Sequence, residues 1–243
     1  MKRLDLSLSA PPSDLALDEA LLDEAELGRR GETLRLWQFE QPVVVIGRGS
    51  KIAGEVDLDY CQANRIPVLR RCSGGAAIVA GPGCLMYSVV LSCHIRPELR
   101  RVDEAHRWVM TRLMAAIVPH VPEVRWQGTC DLTLNNRKFS GNSLRVARDH
   151  ILYHGTILHS ADLSQIARCL ATPPRQPDYR DGRGHSDFIT NLPVEPQRLA
   201  DDIAAAFEAE SPSDPSAEPD WPRETTHSLT VARYSDPAWH HRH

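Results

Sequence analysis

Apolar residues along the chain recur at two spacings, and they divide it into helices and strands. Over residues 13–27, Leu17, Ala20, Leu21 and Ala25 share one helical face, with Ser13 as the expected N-cap and Gly28 as the stop. Residues 103–117 repeat the pattern, with Ala105, Val109, Leu113, Ala116 and Ile117 inward. A third helix is capped by Asp162 and carries Leu163, Ile166, Ala167 and Leu170. A fourth opens on Pro196 and runs through Leu199, Ile203 and Phe207. Alternating or short apolar runs predict strands at 33–39, 42–46, 66–70, 76–79, 85–92, 124–126, 131–134, 138–146 and 151–158. Asn135-Asn136 predicts a tight hairpin turn, and Ala80-Gly81-Pro82-Gly83 predicts a turn joining 76–79 and 85–92 as a strand pair. Residues 211–222 carry four prolines and read as a loop; the chain then closes on a short strand or helical turn. Strands outnumber helices and mostly neighbour one another. This predicts an α+β fold with a mixed, largely antiparallel sheet and flanking helices.

Composition narrows the classes. The 243 residues are 42% hydrophobic and 25% charged, enough for one sizeable core. The net charge of −4 gives no bulk support for nucleic-acid binding. No apolar run approaches a membrane span, and Asp5 interrupts the stretch a secretion signal would need, so a cytoplasmic protein is expected. Six cysteines stand at 61, 72, 84, 93, 130 and 169, and no two have zinc-finger spacing. Of 28 basic residues only Lys2, Lys51 and Lys138 are lysines. A lysine inside a motif is therefore worth weighing.

Three clusters carry candidate chemistry. Arg70-Arg71-Cys72-Ser73-Gly74-Gly75-Ala76-Ala77 follows a strand directly. Its glycines open backbone N–H groups to an anion and its arginines supply charge; the glycine spacing fits neither a P-loop nor a dinucleotide fingerprint. The competing reading is a tight turn with surface arginines. Arg137-Lys138-Phe139-Ser140-Gly141-Asn142-Ser143 places Lys138 in a strand that alternates poorly. Such a lysine either holds a carboxylate against a phosphate or is a solvated hairpin residue. Tyr153-His154-Gly155-Thr156 puts a histidine in an apolar strand, where a hydrogen-bonded core residue is the commoner case. Across the hairpin, Asp131 lies within reach of Lys138 and could hold a hard cation such as Mg²⁺. Residues 171–187, rich in Pro, Arg, Asp and Gly, are long for a connection and read as a mobile lid whose Arg175, Arg180 and Arg183 neutralise phosphate.

Together these clusters resemble the lipoate–protein ligase A and octanoyltransferase family, which shares the biotin/lipoate ligase catalytic fold. The resemblance begins at Val43-Val44-Val45-Ile46-Gly47-Arg48 and passes through 70–77, Asp131-Leu132, 137–143 and His154-Gly155-Thr156-Ile157-Leu158. It continues through Ala161-Asp162-Leu163, Ile189-Thr190-Asn191-Leu192 and the closing Tyr234–Trp239. It implies a single catalytic domain over 1–243 without a C-terminal accessory domain, that part being a separate small protein or not required. It further implies activation of lipoate or octanoate with ATP and Mg²⁺, then transfer to a lysine of an apo lipoyl-acceptor domain. Lys138 would contact the acyl carbonyl and the α-phosphate. Arg70, Arg71, Ser73, Gly74, Gly75, Ala76, Ala77, Ile78, Val79, Ser140, Gly141, His154 and Gly155 would surround acyl chain and nucleotide, with Asp131 as the magnesium carboxylate. The chain departs from the ligase pattern at Ala76, Ala80 and Cys84, and Gly81-Pro82-Gly83 resembles the transferase branch. Two other readings follow: an ATP-independent octanoyltransferase with Cys130 as thioester nucleophile, and a lipoyl-domain binding protein without catalysis.

Overall fold

A computed structural model describes residues 1–172, 176–211, 214, 216 and 218–242. Strand β1 (Lys2–Asp5) leads into α1 (Pro11–Glu26), β2 (Thr33–Trp37) and β3 (Val43–Ile46). The short helices α2 (Ile52–Glu55) and α3 (Leu58–Ala63) precede β4 (Val68–Arg70), β5 (Ile78–Ala80) and β6 (Cys84–Ser92). Helix α4 (Val102–Ile117) is followed by β7 (Arg125–Gln127), β8 (Asp131–Leu134), β9 (Arg137–Val146) and β10 (His150–Leu158). The remaining helices are α5 (Leu163–Cys169), α6 (His185–Phe188), α7 (Pro196–Ala206), α8 (Arg223–Leu229) and α9 (Pro237–His240).

Seven strands form one sheet in the order β1-β2-β6-β10-β9-β8-β7, and three form a second in the order β4-β3-β5. In the large sheet only β1 and β2 run parallel; the pairs from β2 through β7 are antiparallel. The mixed, largely antiparallel α+β fold is thus the one the periodicity predicts. Alternation along β10 explains its two faces. Ile151, Tyr153 and Ile157 join Val109, Met110, Leu113, Leu199 and Ile203 of α4 and α7 in one core. Leu152 packs instead with Leu17, Leu21 and Leu22 of α1. The small sheet and α1 therefore cover the face opposite α4, and the candidate site lies between the two sheets.

Several local expectations are revised. Strands β5 and β6 do not pair: β5 lies antiparallel to β3 and β6 sits between β2 and β10, so the Gly81–Gly83 turn carries the chain from one sheet to the other. Helix α1 starts two residues before Ser13, with Ala10 as N-cap and prolines in its first turn, where a missing N–H costs nothing. In 171–187 the chain forms a 3₁₀ turn (Asp178–Arg180) and α6. Arg175 lies outside the described residues. The Asn135-Asn136 turn is as expected, with φ of 51° and 59°.

Candidate active site

Lys138 is aimed by an irregularity in the β8–β9 pairing. Leu132 faces Ser140 and Thr133 faces Lys138, so Phe139 is the extra residue of a bulge. Phe139 drops into the α4-side core, fully buried. The bulge turns Lys138 onto the face of Gly141. There its Nζ lies 2.7 Å from where a Cβ on Gly141 would stand, so a side chain at 141 would push the ammonium aside. Asp131 is the register partner of Gly141, and its Oδ1 meets Lys138 Nζ at 2.7 Å. Asp131 Oδ2 accepts from the Tyr179 hydroxyl at 2.8 Å.

Lys138 stands where two cavities join. The first, roughly 620 Å³ and open to solvent at its mouth, has apolar walls from Leu15 of α1, Trp37 of β2, Val45 of β3 and Met86 of β6. The second, roughly 640 Å³, is walled by Leu158, Ile166, Leu170, Phe188 and Ile189. Ala76, Ala77, Ile78, Lys138, Gly141 and Thr156 border both. A slender apolar chain fits the first, and an anionic head would then lie beside the ammonium group.

The two adjacent arginines, Arg70 at the end of β4 and Arg71 just past it, have opposite fates, each held by a different set of carbonyls. Arg71 borders the first cavity and organises the glycine-rich loop, donating to Val45 O at 3.1 Å, Gly74 O at 2.5 Å and Ala76 O at 3.0 Å. Burial pulls its pKa down to about 10, with partial opposition from Cys72 and Glu55. Arg70 borders neither cavity. Its guanidinium is fully buried and donates to the carbonyls of Gly47, Ser50 and His240 at 2.8 Å each. Expected around the ligand, it is set here away from both cavities, as a clamp between the Gly47–Ser50 turn and α9.

Ser73 and His154 form a buried relay. Ser73 Oγ lies 2.6 Å from His154 Nε2 and accepts from Arg71 Nε at 3.1 Å. His154 Nδ1 is 3.2 Å from Asp18 Oδ2, which also accepts from Ser88 Oγ at 2.6 Å; Asp18 Oδ1 accepts from Arg35 Nη1 at 2.8 Å. Burial pushes the Asp18 carboxyl up, but the hydrogen bond to His154 and the Arg35 and His154 charges outweigh it and hold the group below its usual range. Asp18 is thus ionised and His154 Nδ1 carries a proton toward it. The same Arg35 binds Asp14, whose pKa burial nevertheless raises to about 6. His154, Gly155 and Asp18 border the first cavity, whereas the hydroxyl of Ser73 is engaged behind the loop.

The remaining expected residues fall around these walls. Gly75 borders the first cavity, Val79 and Ser140 the second, and Gly74 contributes its carbonyl to Arg71 and Ser143. Sequence reasoning missed Leu15, Asp18, Trp37, Met86 and Tyr179. The signal for Asp18 was present: Asp14 and Asp18 are acids one helical turn apart beside the apolar stripe, and Arg35 interrupts a strand of apolar residues.

Both oxygens of Asp131 are engaged, by Lys138 and Tyr179, and no group of three His, Cys, Asp or Glu that could hold a metal ion exists among the described residues. The donor set does not fit a resident Mg²⁺, which needs several oxygens. Cys130 borders neither cavity and donates its thiol to Asn142 O at 3.1 Å. Burial first, then the Asp131 charge, pushes its pKa up to about 11 against the pull of Lys138. Cys61, Cys72, Cys84, Cys93 and Cys169 are raised as well, each chiefly by burial. None of the six has the environment of an activated thiolate.

The fold and site thus combine a paired-sheet α+β domain with a lysine at the junction of two cavities. The chain belongs to the family of the lipoyl protein ligase A/B catalytic domain, whose profile matches residues 10–208. It is 32% identical over 160 residues to a probable lipoate-protein ligase A of Mycoplasma genitalium, an alignment covering 66% of this chain and 46% of that one. It is 25% identical over 198 residues to the octanoyltransferase LipM of Oceanobacillus iheyensis, covering 75% and 72%. A crystal structure of lipoate-protein ligase A bound with ATP superposes with a TM-score of 0.80 at 21% identity, covering 99% of this chain and 98% of that one. The chain spans about half the length of the curated Mycoplasma ligases it matches. No helix among the described residues is long and apolar enough to cross a membrane.

Proposed function

We propose that the protein is an acyl-adenylate-forming ligase: it activates lipoate or octanoate with ATP and passes the acyl group to a lysine of an apo lipoyl domain. The observation that carries this reading is the position of Lys138 at the junction of the two cavities. The acyl chain lies in the first cavity against Leu15, Trp37, Val45 and Met86, and the nucleotide lies in the second. A carboxylate oxygen attacks the α-phosphorus and pyrophosphate leaves. The acceptor amine then attacks the acyl carbonyl, the carbon–oxygen bond to AMP breaks, and a proton is released. Charge builds on the carboxyl and phosphoryl oxygens in both steps, beside the Lys138 ammonium and the buried Arg71. ATP enters as substrate, as its magnesium salt, and no step is assigned to a protein-held metal. The whole chain acts as one catalytic domain in the cytoplasm, where ATP is supplied, with the lipoyl domain as its partner; the accessory part is either a separate small protein or not required.

The cysteine environments favour the ligase over a thioester transferase, since every thiol is pushed toward its neutral form. The test is intact-mass analysis of an apo lipoyl domain incubated with the protein and octanoate or lipoate, with and without MgATP. Acylation only with ATP supports the reading. Acylation from octanoyl carrier protein without ATP replaces it with the transferase.

A further inference from the structure

Arg180 poses a problem the mechanism above does not solve. It is 3% exposed, and its Nη2 is buried with no hydrogen-bond partner among the described residues. Its Nε donates to Arg183 O at 2.9 Å, and the guanidinium carbon stands 4.7 Å from the centroid of Phe188. The titratable groups acting on it are Tyr179 and the like-charged Arg183, with no carboxylate among them. A buried cation with an idle donor and no counter-ion is costly unless something else supplies the acceptor.

The surroundings indicate what that is. Arg180 lines the second cavity, and so do Lys138 and His185. His185 Nε2 is 3.1 Å from Ala171 O, and burial holds the ring toward its neutral form. Among the described residues the charged side chains lining this cavity are therefore both cations; the nearby acids are already engaged, Asp131 by Lys138 and Tyr179 and Glu55 by the Ala77 N–H at 2.6 Å. Apart from Ser140 and Thr156 the other walls are apolar, which suits a flat uncharged ring. The segment that carries Arg180 is anchored rather than loose: Arg183 donates to Asn136 O at 2.9 Å at the β8–β9 turn and to Tyr179 O at 2.7 Å.

We propose that Arg180 is a phosphate-receiving residue, its Nη2 donating to a phosphoryl oxygen of a nucleotide in the second cavity that Lys138 also borders. The inference deepens the ATP-dependent reading and rests on it for the identity of the nucleotide; the anion site itself does not. The ligand-free protein carries the unpartnered guanidinium, and the phosphate supplies the missing acceptor through a charge-assisted bond.

Thermal melts of wild type, Arg180→Met and Arg180→Lys with inorganic pyrophosphate, ATP or octanoate test this. Pyrophosphate and ATP are expected to raise the wild-type melting temperature. Arg180→Met is expected to melt, without ligand, at or above wild type, because it removes an unpaired buried charge. It should lose the pyrophosphate shift, keep the octanoate shift, and bind ATP about tenfold or more weakly. Arg180→Lys, which keeps the charge but not the fork, should fall between. Equal pyrophosphate shifts in wild type and Arg180→Met overturn the proposal, as does no shift in wild type. So does a ligand-free Arg180→Met that melts far below wild type, which would make the residue a structural clamp. An Arg180-dependent pyrophosphate shift in a protein that shows no ATP-dependent acylation keeps the anion site and removes the ligase reading instead.

Discussion

Replacing Lys138 with alanine separates chemistry from stability. In the ligand-free protein the ammonium has one ionic partner, Asp131 at 2.7 Å, and the two side chains retain 30% and 12% of their exposure. A pair this open to water contributes about 1 kcal/mol or less. Asp131 also keeps its hydrogen bond from Tyr179, so Lys138→Ala leaves no orphaned carboxylate. In a chain of this size such a loss lowers the melting temperature by roughly 2–4 °C. The catalytic effect is of another order. A fixed donor facing charge that develops only in the transition state is worth about 3 kcal/mol, or a hundredfold to a thousandfold in rate. ATP-dependent acylation of the lipoyl domain should therefore fall at least about a hundredfold while the melt barely moves and octanoate still binds. Activity within tenfold of wild type would refute the role of Lys138. A melting temperature lowered by about 10 °C or more would show that it acts through the fold.

Other expectations follow from the same geometry. Cys130→Ser should leave ATP-dependent acylation within about twofold, because the thiol is held protonated outside both cavities; near-complete loss, with a hydroxylamine-sensitive adduct in wild type, would reassign the enzyme to thioester chemistry. Gly47→Ala places a Cβ 1.9 Å from Gly75 O, a backbone atom, and should cost several kcal/mol and disrupt the glycine-rich loop; a melt and activity like wild type would contradict the close approach. His240 accepts from Arg70 N–H at 2.9 Å through Nδ1 and donates from Nε2 to Tyr234 O at 2.9 Å, so it is neutral. Burial sets its pKa below the ordinary 6.5. The unfolded chain thus takes up the proton first, and stability is complete above pH 6.5 and declines as pH falls below it. His240→Gln should flatten that decline in melts across pH 5–8, and an identical slope in both proteins would exclude the residue as its source.

The fold class was legible because most strands and the longer helices announce themselves by period. Leu17, Ala20, Leu21 and Ala25 are all buried on α1, as are the five inward residues expected of α4. The sheet order was not legible, since the Gly81–Gly83 turn reads as a hairpin and only tertiary packing sends β5 and β6 to different sheets. The poor alternation around Lys138 is the mark of the bulge at Phe139. A one-residue insertion reverses which face the lysine takes, and no periodicity rule supplies that. Arg70 and Arg71 carry the same charge side by side in sequence, so nothing local says which faces ligand. That is decided by the carbonyls of residues far along the chain. Tyr179 was hidden because its partner, Asp131, lies on a strand 48 residues away.

The Arg70 clamp has a practical corollary for how much chain the site needs. The matched family region ends at residue 208, yet the carbonyl and ring that hold Arg70 belong to His240. Glu19 on α1 is likewise held by Arg233 at 2.5 Å and by the Tyr234 hydroxyl at 2.7 Å. A polypeptide trimmed to the matched region would keep every cavity-lining residue named here. It would still expose a buried guanidinium one position from Arg71, at the root of the glycine-rich loop. The last helical turn thus works as a keystone: it borders neither cavity, yet it closes on the strand that leads into the glycine-rich loop.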